Sequence, residues 1–133
     1  MKNIGFSKKE HVVSQKQINE LFDSGNNHSQ VAFPLRAIYM VNTRKNENNE
    51  PVQVLISVSK KRLHHAVDRN RVKRQIREAY RLNKQSLRES IPADKQLTLA
   101  FVWLIDNVQS TNVVMTRMQN LLRRITHKMQ KEC

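Results

Sequence analysis

Residues 52–87, VQVLISVSKKRLHHAVDRNRVKRQIREAYRLNKQSL, change their hydrophobic period midway, and that change decides the fold class. In the first part Val52, Val54, Ile56 and Val58 alternate with Gln53, Leu55, Ser57 and Ser59, the pattern of a strand with one buried face. From about His65 to Leu87 the period lengthens to that of a helix. Val72, Ile76, Ala79 and Tyr80 then gather on one side. Arg69, Asn70, Lys73, Arg74, Arg77, Arg81 and Lys84 gather on the other, flanked by Arg71. Such a helix docks its apolar side on a sheet and turns its basic side outward.

Working outward, Leu35 to Val41 reads as a strand and the polar stretch from Asn42 to Glu50 as a loop. The strand beginning at Val52 is therefore expected to pair antiparallel with its predecessor across that loop. Upstream, Ser14 and Gln17 make a capping box, Val13 and Ile18 a hydrophobic staple, and Gly25 a stop signal. They frame a first helix with Ile18, Leu21 and Phe22 on one narrow apolar face. Downstream, Pro92-Ala93-Asp94 interrupts the helical pattern and Leu97 to Ile105 reads as a third, buried strand. Ser110 or Thr111 caps a final helix with Val114, Met118, Leu121, Leu122, Ile125 and Met129 at helical spacing. The order α-β-β-α-β-α predicts an α+β sandwich, helices packed on one small sheet. A chain of 133 residues accommodates this as a single domain over 1–133, with about residues 1–8 and 129–133 expected to be mobile.

Charge supplies the first functional clue. Twenty-four Lys and Arg oppose eleven Asp and Glu, leaving +13. Residues 60–84 carry +8 of that, from ten basic and two acidic side chains. Self-repulsion on this scale is relieved by a polyanionic partner. No apolar run approaches the roughly 20 residues a membrane helix requires, and the N-terminal sequence has no apolar signal region, so a cytoplasmic protein is expected. The lone cysteine, Cys133, has no intrachain partner, which fits a reducing compartment.

No protein-based active site stands out. His64 and His65 are adjacent and diverge on a helix, and His64 with Asp68 reads as a capping or surface pair. Two glycines leave little scope for a phosphate loop, and the chain has no zinc, thiol or nucleophile-elbow motif. Binding is the better reading. Arg69, Lys73 and Arg77 at i, i+4 and i+8 span about 12 Å along one face, enough to follow a run of phosphates. Asn70 on that face is uncharged and suits hydrogen bonding to a phosphate, a ribose hydroxyl or a neighbouring loop.

The string Ser57-Val58-Ser59-Lys60-Lys61, then Ala66-Val67, then Arg69-Asn70-Arg71, Lys73-Arg74 and Ile76-Arg77-Glu78 resembles the signature of the bacterial ribonuclease P protein subunit. The motif occupies about residues 57–81, and the order of elements extends the resemblance over nearly the whole chain. The resemblance implies a sandwich with a left-handed β-α-β crossover, similar to a domain of ribosomal protein S-five. It implies an accessory subunit of a ribonucleoprotein endonuclease that removes the 5′ leader of precursor tRNA. In that family the RNA subunit is catalytic, the reaction uses Mg2+, and the protein binds no cofactor of its own.

Carried over residue by residue, contact with ribonuclease P RNA falls to Lys60, Lys61, Arg62, Arg69, Asn70, Arg71, Lys73, Arg74 and Arg77. A cleft for the precursor tRNA leader, between the first helix and the sheet, falls to Ile18, Phe22, Phe33 and Tyr39. Three positions depart from the family pattern. Ile18 stands where a second aromatic is common, Leu55 where a glycine is common, and Trp103-Leu104-Ile105 replaces a basic strand end.

The rivals are a helix-turn-helix DNA-binding protein, a ribosomal or other structural RNA-binding protein, and a stand-alone nuclease. A strand precedes the basic helix, which argues against the first, and neither DNA nor a membrane is expected as a partner. Eight neutralised phosphates correspond to a log–log salt slope of roughly −6 to −7. Arg69 and Asn70 are both expected to face outward, so that replacing either with alanine leaves the fold intact.

Overall fold

The structure, a computed structural model, describes residues 27–44 and 50–132. The expected first helix with Ile18, Leu21 and Phe22, and Cys133, lie outside the described residues. The elements in chain order are β1 (His28–Ala32), β2 (Leu35–Thr43), β3 (Val52–Ser57), α1 (Ala66–Asn83), α2 (Gln85–Ser90), β4 (Lys95–Trp103) and α3 (Thr111–Glu132). Four strands form one sheet in the order β1-β2-β4-β3.

β4 occupies the centre. It pairs antiparallel with β2, Tyr39 opposite Leu99, and parallel with β3, Val54 opposite the same Leu99. The antiparallel pairing of β2 with β3 expected from sequence is thus replaced, because β4 inserts between them. Alternation along β3 decides which face is buried, and Val52, Val54 and Val58 are indeed buried. It carries no information about which strand lies alongside. Parallel neighbours need a long crossover connection, and here α1 and α2 provide it.

Further boundaries differ. β1 was not foreseen: it pairs with β2 from His28↔Tyr39 to Ala32↔Leu35 in a hairpin with a cis Phe33-Pro34 bond. The helix expected over His65–Leu87 divides at Lys84. Beside the junction the Asn83 side-chain Nδ2 donates to the Ala79 carbonyl at 2.8 Å. Lys84, placed on the outward face by periodicity, is 2% exposed at this junction. Asn42 and Thr43 extend β2 rather than opening a loop, and Arg44 is fastened to the Lys95 and Pro92 carbonyls at 2.8 and 3.1 Å. The third expected strand is shifted, ending at Trp103 rather than Ile105. The chain end at 129–132 belongs to α3, and Met129 is buried.

The apolar faces of α1 and α3 meet one side of the sheet. Val72, Ile76, Ala79 and Tyr80 of α1 and Val114, Met118, Leu121, Leu122, Ile125 and Met129 of α3 share a core with Leu35, Tyr39, Val54, Leu99, Phe101 and Trp103. Tyr80 packs its ring at 5.9 Å and 56° to that of Phe101. Ser110 caps α3, its hydroxyl accepting from the Val113 N–H at 3.2 Å, as the sequence indicates. Two arginines of α3 reach the hairpin. Arg124 donates to the Val31 carbonyl at 2.8 Å and Arg117 to the Phe33 carbonyl at 2.9 Å. On the opposite side of the sheet Ile38, Met40 and Ala100 form a second small cluster, with Leu55 and Val102 partly buried against it.

Because Ile76 is fully buried and Arg77, next to it, is exposed, the two substitutions should separate core from surface. Ile76→Ala is expected to lower unfolding stability by about 2–5 kcal/mol. Arg77→Ala should stay within about 0.5 kcal/mol, both read from urea unfolding.

Candidate nucleic-acid interface

The basic side chains stand on two adjoining pieces of backbone. The first is the turn between β3 and α1. Buried Val58 and Leu63 pin its ends, and the Arg62 and Leu63 N–H groups both donate to the Ser59 carbonyl, at 3.2 and 3.1 Å. Lys60, Lys61 and Arg62 are thereby held exposed at the tip. The second is the outward face of α1, where Val67, Asn70, Lys73, Arg74 and Arg77 line a shallow depression of about 460 Å³. Arg71 is exposed beside it.

Two of the nine expected RNA-contact residues have internal partners that sequence could not reveal. Arg69 is half-buried, and its guanidinium donates to the Leu63 and His64 carbonyls, both at 2.9 Å. It ties the basic turn to the first turn of α1, which corrects the expectation that Arg69 is simply outward-facing. Arg62 pairs with Asp106, just beyond β4, at 3.3 Å; both side chains are exposed, so the pair contributes little to stability. Among the described residues Lys60, Lys61, Arg71, Lys73, Arg74 and Arg77 make no ion pair, and they remain available to an external anion.

Arg81, on the same face, is not available in that way. It makes a forked contact with Glu78, its Nε 3.0 Å from Oε2. Hydrogen bonding from Arg81 holds the Glu78 carboxyl below the usual carboxylate range and raises the Arg81 pKa in turn. The pair is therefore intact at neutral pH and is lost as pH falls through the lowered Glu78 pKa.

Val67 is a residue whose role sequence reasoning missed. It is an apolar side chain 76% exposed among cations, beside Asn70. Periodicity could have flagged it, since Val67 falls on the outward arc of α1. An apolar group ringed by cations offers a contact for a sugar or base face.

Of the residues expected for a leader cleft, the two described ones, Phe33 and Tyr39, stand apart. Ile18 and Phe22 lie outside the described residues. Phe33 is 62% exposed at the hairpin turn. Tyr39 is 1% exposed on the helix-covered face, stacked on His28 at a centroid distance of 5.3 Å. The pleat explains the correction: Tyr39 pairs with Leu99, whose side is the core, whereas its neighbours Ile38 and Met40 take the other face. On that other face a row crosses all four strands. It runs from Val31 through Arg36 and Val102 to Ser57 and ends two residues before Ser59.

Among the described residues no three His, Cys, Asp or Glu side chains lie close enough to hold a metal, and no helix is long and apolar enough to cross a membrane.

Arg69→Ala is expected to lower stability by about 1–2 kcal/mol, since it leaves two carbonyls without a charged donor. Asn70→Ala, at an exposed position, should change it by less than about 0.5 kcal/mol. Thermal unfolding of the two variants side by side checks the assignment, and equal midpoints would contradict it.

Residues 6–130 match the family model described as Ribonuclease P. A relative in Porphyromonas gingivalis, named ribonuclease P protein component, is 38% identical over 91% of this chain and 86% of its own length. Among solved structures, the Staphylococcus aureus RNase P protein superposes with a TM-score of 0.64 at 18% identity, over 86% of this chain and 94% of its own. The Thermotoga maritima RNase P protein does so at 0.59 and 19%, over 84% and 95%.

Proposed function

The chain belongs to the ribonuclease P protein family, and from that premise we propose that it is the protein component of a ribonucleoprotein that removes the 5′ leader of precursor tRNA. The RNA subunit carries the catalytic groups and the Mg2+ of phosphodiester hydrolysis, and the protein binds and positions. The observation that supports this best is the joint placement of the 60–62 turn and the outward face of α1. Six cations without ion-pair partners among the described residues, and Asn70, stand there on backbone tied by Arg69, Val58 and Leu63. Arginine offers phosphate a planar fork and lysine a mobile point charge, so the mixed set suits an irregular RNA backbone better than a single rigid ligand.

The 5′ leader takes the sheet face opposite α1 and α3. The row Val31–Arg36–Val102–Ser57 leads there from the exposed hairpin, with Phe33 at its turn, toward the basic turn. Three inter-strand steps make this path about 14 Å long, room for two or three extended nucleotides. Exposed Arg36 supplies a phosphate contact, and Phe33 an aromatic surface on which a base can stack, worth roughly 1–3 kcal/mol. Tyr39 has a packing role only. The protein works in the cytoplasm alongside its RNA.

Because Arg62 and Arg69 are partly committed within the protein, six phosphate contacts replace the eight counted from sequence. The contribution of this turn and helix face to the log–log salt slope for RNA binding is then expected near −4 to −5. A slope much shallower than this would contradict the basic-face assignment.

The deciding experiment is cleavage of a 5′-leader precursor tRNA at low magnesium by the protein alone, by a bacterial ribonuclease P RNA alone, and by both. Cleavage confined to the combined sample, or far faster there, is expected. Cleavage by the protein alone would overturn the division of labour. No enhancement by the protein would leave a structural RNA-binding role.

A further inference from the structure

α3 carries a second basic surface that the preceding reading does not use. Along the helix stand Arg117, Arg123, Arg124, His127, Lys128 and Lys131, and its one acidic residue is Glu132, its last. Arg117 and Arg124 turn to the hairpin carbonyls. Gln119, Arg123, His127 and Lys131 are all exposed, and their spacing of four residues makes a stripe about 18 Å long. The i, i+4, i+8 arrangement of Arg123, His127 and Lys131 repeats that of Arg69, Lys73 and Arg77 on α1.

Beside the stripe, a groove of about 540 Å³ separates α3 from the junction of α1 and α2. Its lining includes Asn83, Ser86, Gln119, Arg123, Thr126 and His127. Apart from Asn83, none of these side chains is engaged in a hydrogen bond or ion pair among the described residues. A helix face that serves solubility alone usually interleaves acidic residues as i, i+4 partners, whereas here the cations stand together with amides and hydroxyls. That mixture offers positive charge to phosphate oxygens together with donors and acceptors for ribose hydroxyls. A lipid surface is a poor match, because the apolar side of α3, from Val114 to Met129, is already buried in the core.

We propose that this groove and stripe bind the phosphodiester backbone of the partner RNA, at a contact additional to the basic face of α1. The proposal rests on the reading that the chain assembles with ribonuclease P RNA. The test compares, in the full chain, the combined variant Arg123→Gln, His127→Gln and Lys131→Gln with the combined variant Lys73→Gln and Arg77→Gln on α1. Each is titrated with a bacterial ribonuclease P RNA over a range of salt concentrations, and thermal unfolding verifies the fold. The α3 variant is expected to bind at least 10-fold more weakly at fixed salt. Its log–log salt slope should be shallower by about 1.5–2, corresponding to two lost phosphate contacts. Arg123→Glu alone should reproduce much of the loss and serves as the test if the triple variant melts early. Wild-type affinity and slope in the α3 variants, with both reduced in the α1 variant, would overturn the proposal and leave α3 a solvated face. If the unmodified protein itself bound this RNA weakly and without salt dependence, the proposed function would fail instead.

Discussion

The parallel pairing of β3 with β4 is the constraint from which the rest of this molecule follows. Two parallel neighbours cannot be joined by a tight turn, so the chain must leave the sheet, cross it and return. The crossing segment is α1, which must bury Val72, Ile76, Ala79 and Tyr80 to hold the connection against the sheet. What remains of its circumference faces outward, and that remainder is where the basic residues lie. The same connection places the 60–62 turn at the end of β3, next to the start of α1. Turn and helix face thus form one surface because of how two strands pair.

Holding so many like charges on one connection costs self-repulsion, and the local structure limits it in several ways. Glu78 neutralises Arg81 within one turn of helix, Asp106 takes up part of Arg62, and Arg69 spends its donors on two carbonyls. These internal commitments leave a smaller but better defined set of cations for an external anion. They also give the surface a graded character. Lys60 and Lys61 ride on a turn, Lys73, Arg74 and Arg77 ride on a helix, and Arg69 fixes the angle between the two.

Much of this was legible in the sequence because it depends on period. The alternation in 52–58 and the helical spacing of Val72, Ile76, Ala79 and Tyr80 each identified a buried face correctly, and Ser110 announced the start of α3. What periodicity does not encode is adjacency: nothing in β3 says that β4, forty residues later, will sit where β2 was expected. The break at Lys84 was hidden for a different reason. Neither the glycine nor the proline that usually marks a helix end stands at the junction. At the site, the type and spacing of cations indicated an RNA-binding face. The partners of Arg62 and Arg69 depend on tertiary proximity, or on carbonyls that carry no side-chain signal. Tyr39 lies in the helix-covered core, and one residue either way along the strand changes the face.

The hairpin contacts of α3 bear on how this protein behaves in crowded solution. Among the described residues β1 is an edge strand, and an edge with open carbonyls is a template on which another chain can add a strand. Arg124 and Arg117 occupy the Val31 and Phe33 carbonyls, and they bring two positive charges to the rim of the sheet. A second molecule approaching that edge meets filled acceptors and like charge, so sheet extension between copies is disfavoured there. The final helix therefore hinders strand addition at this edge as well as closing the core.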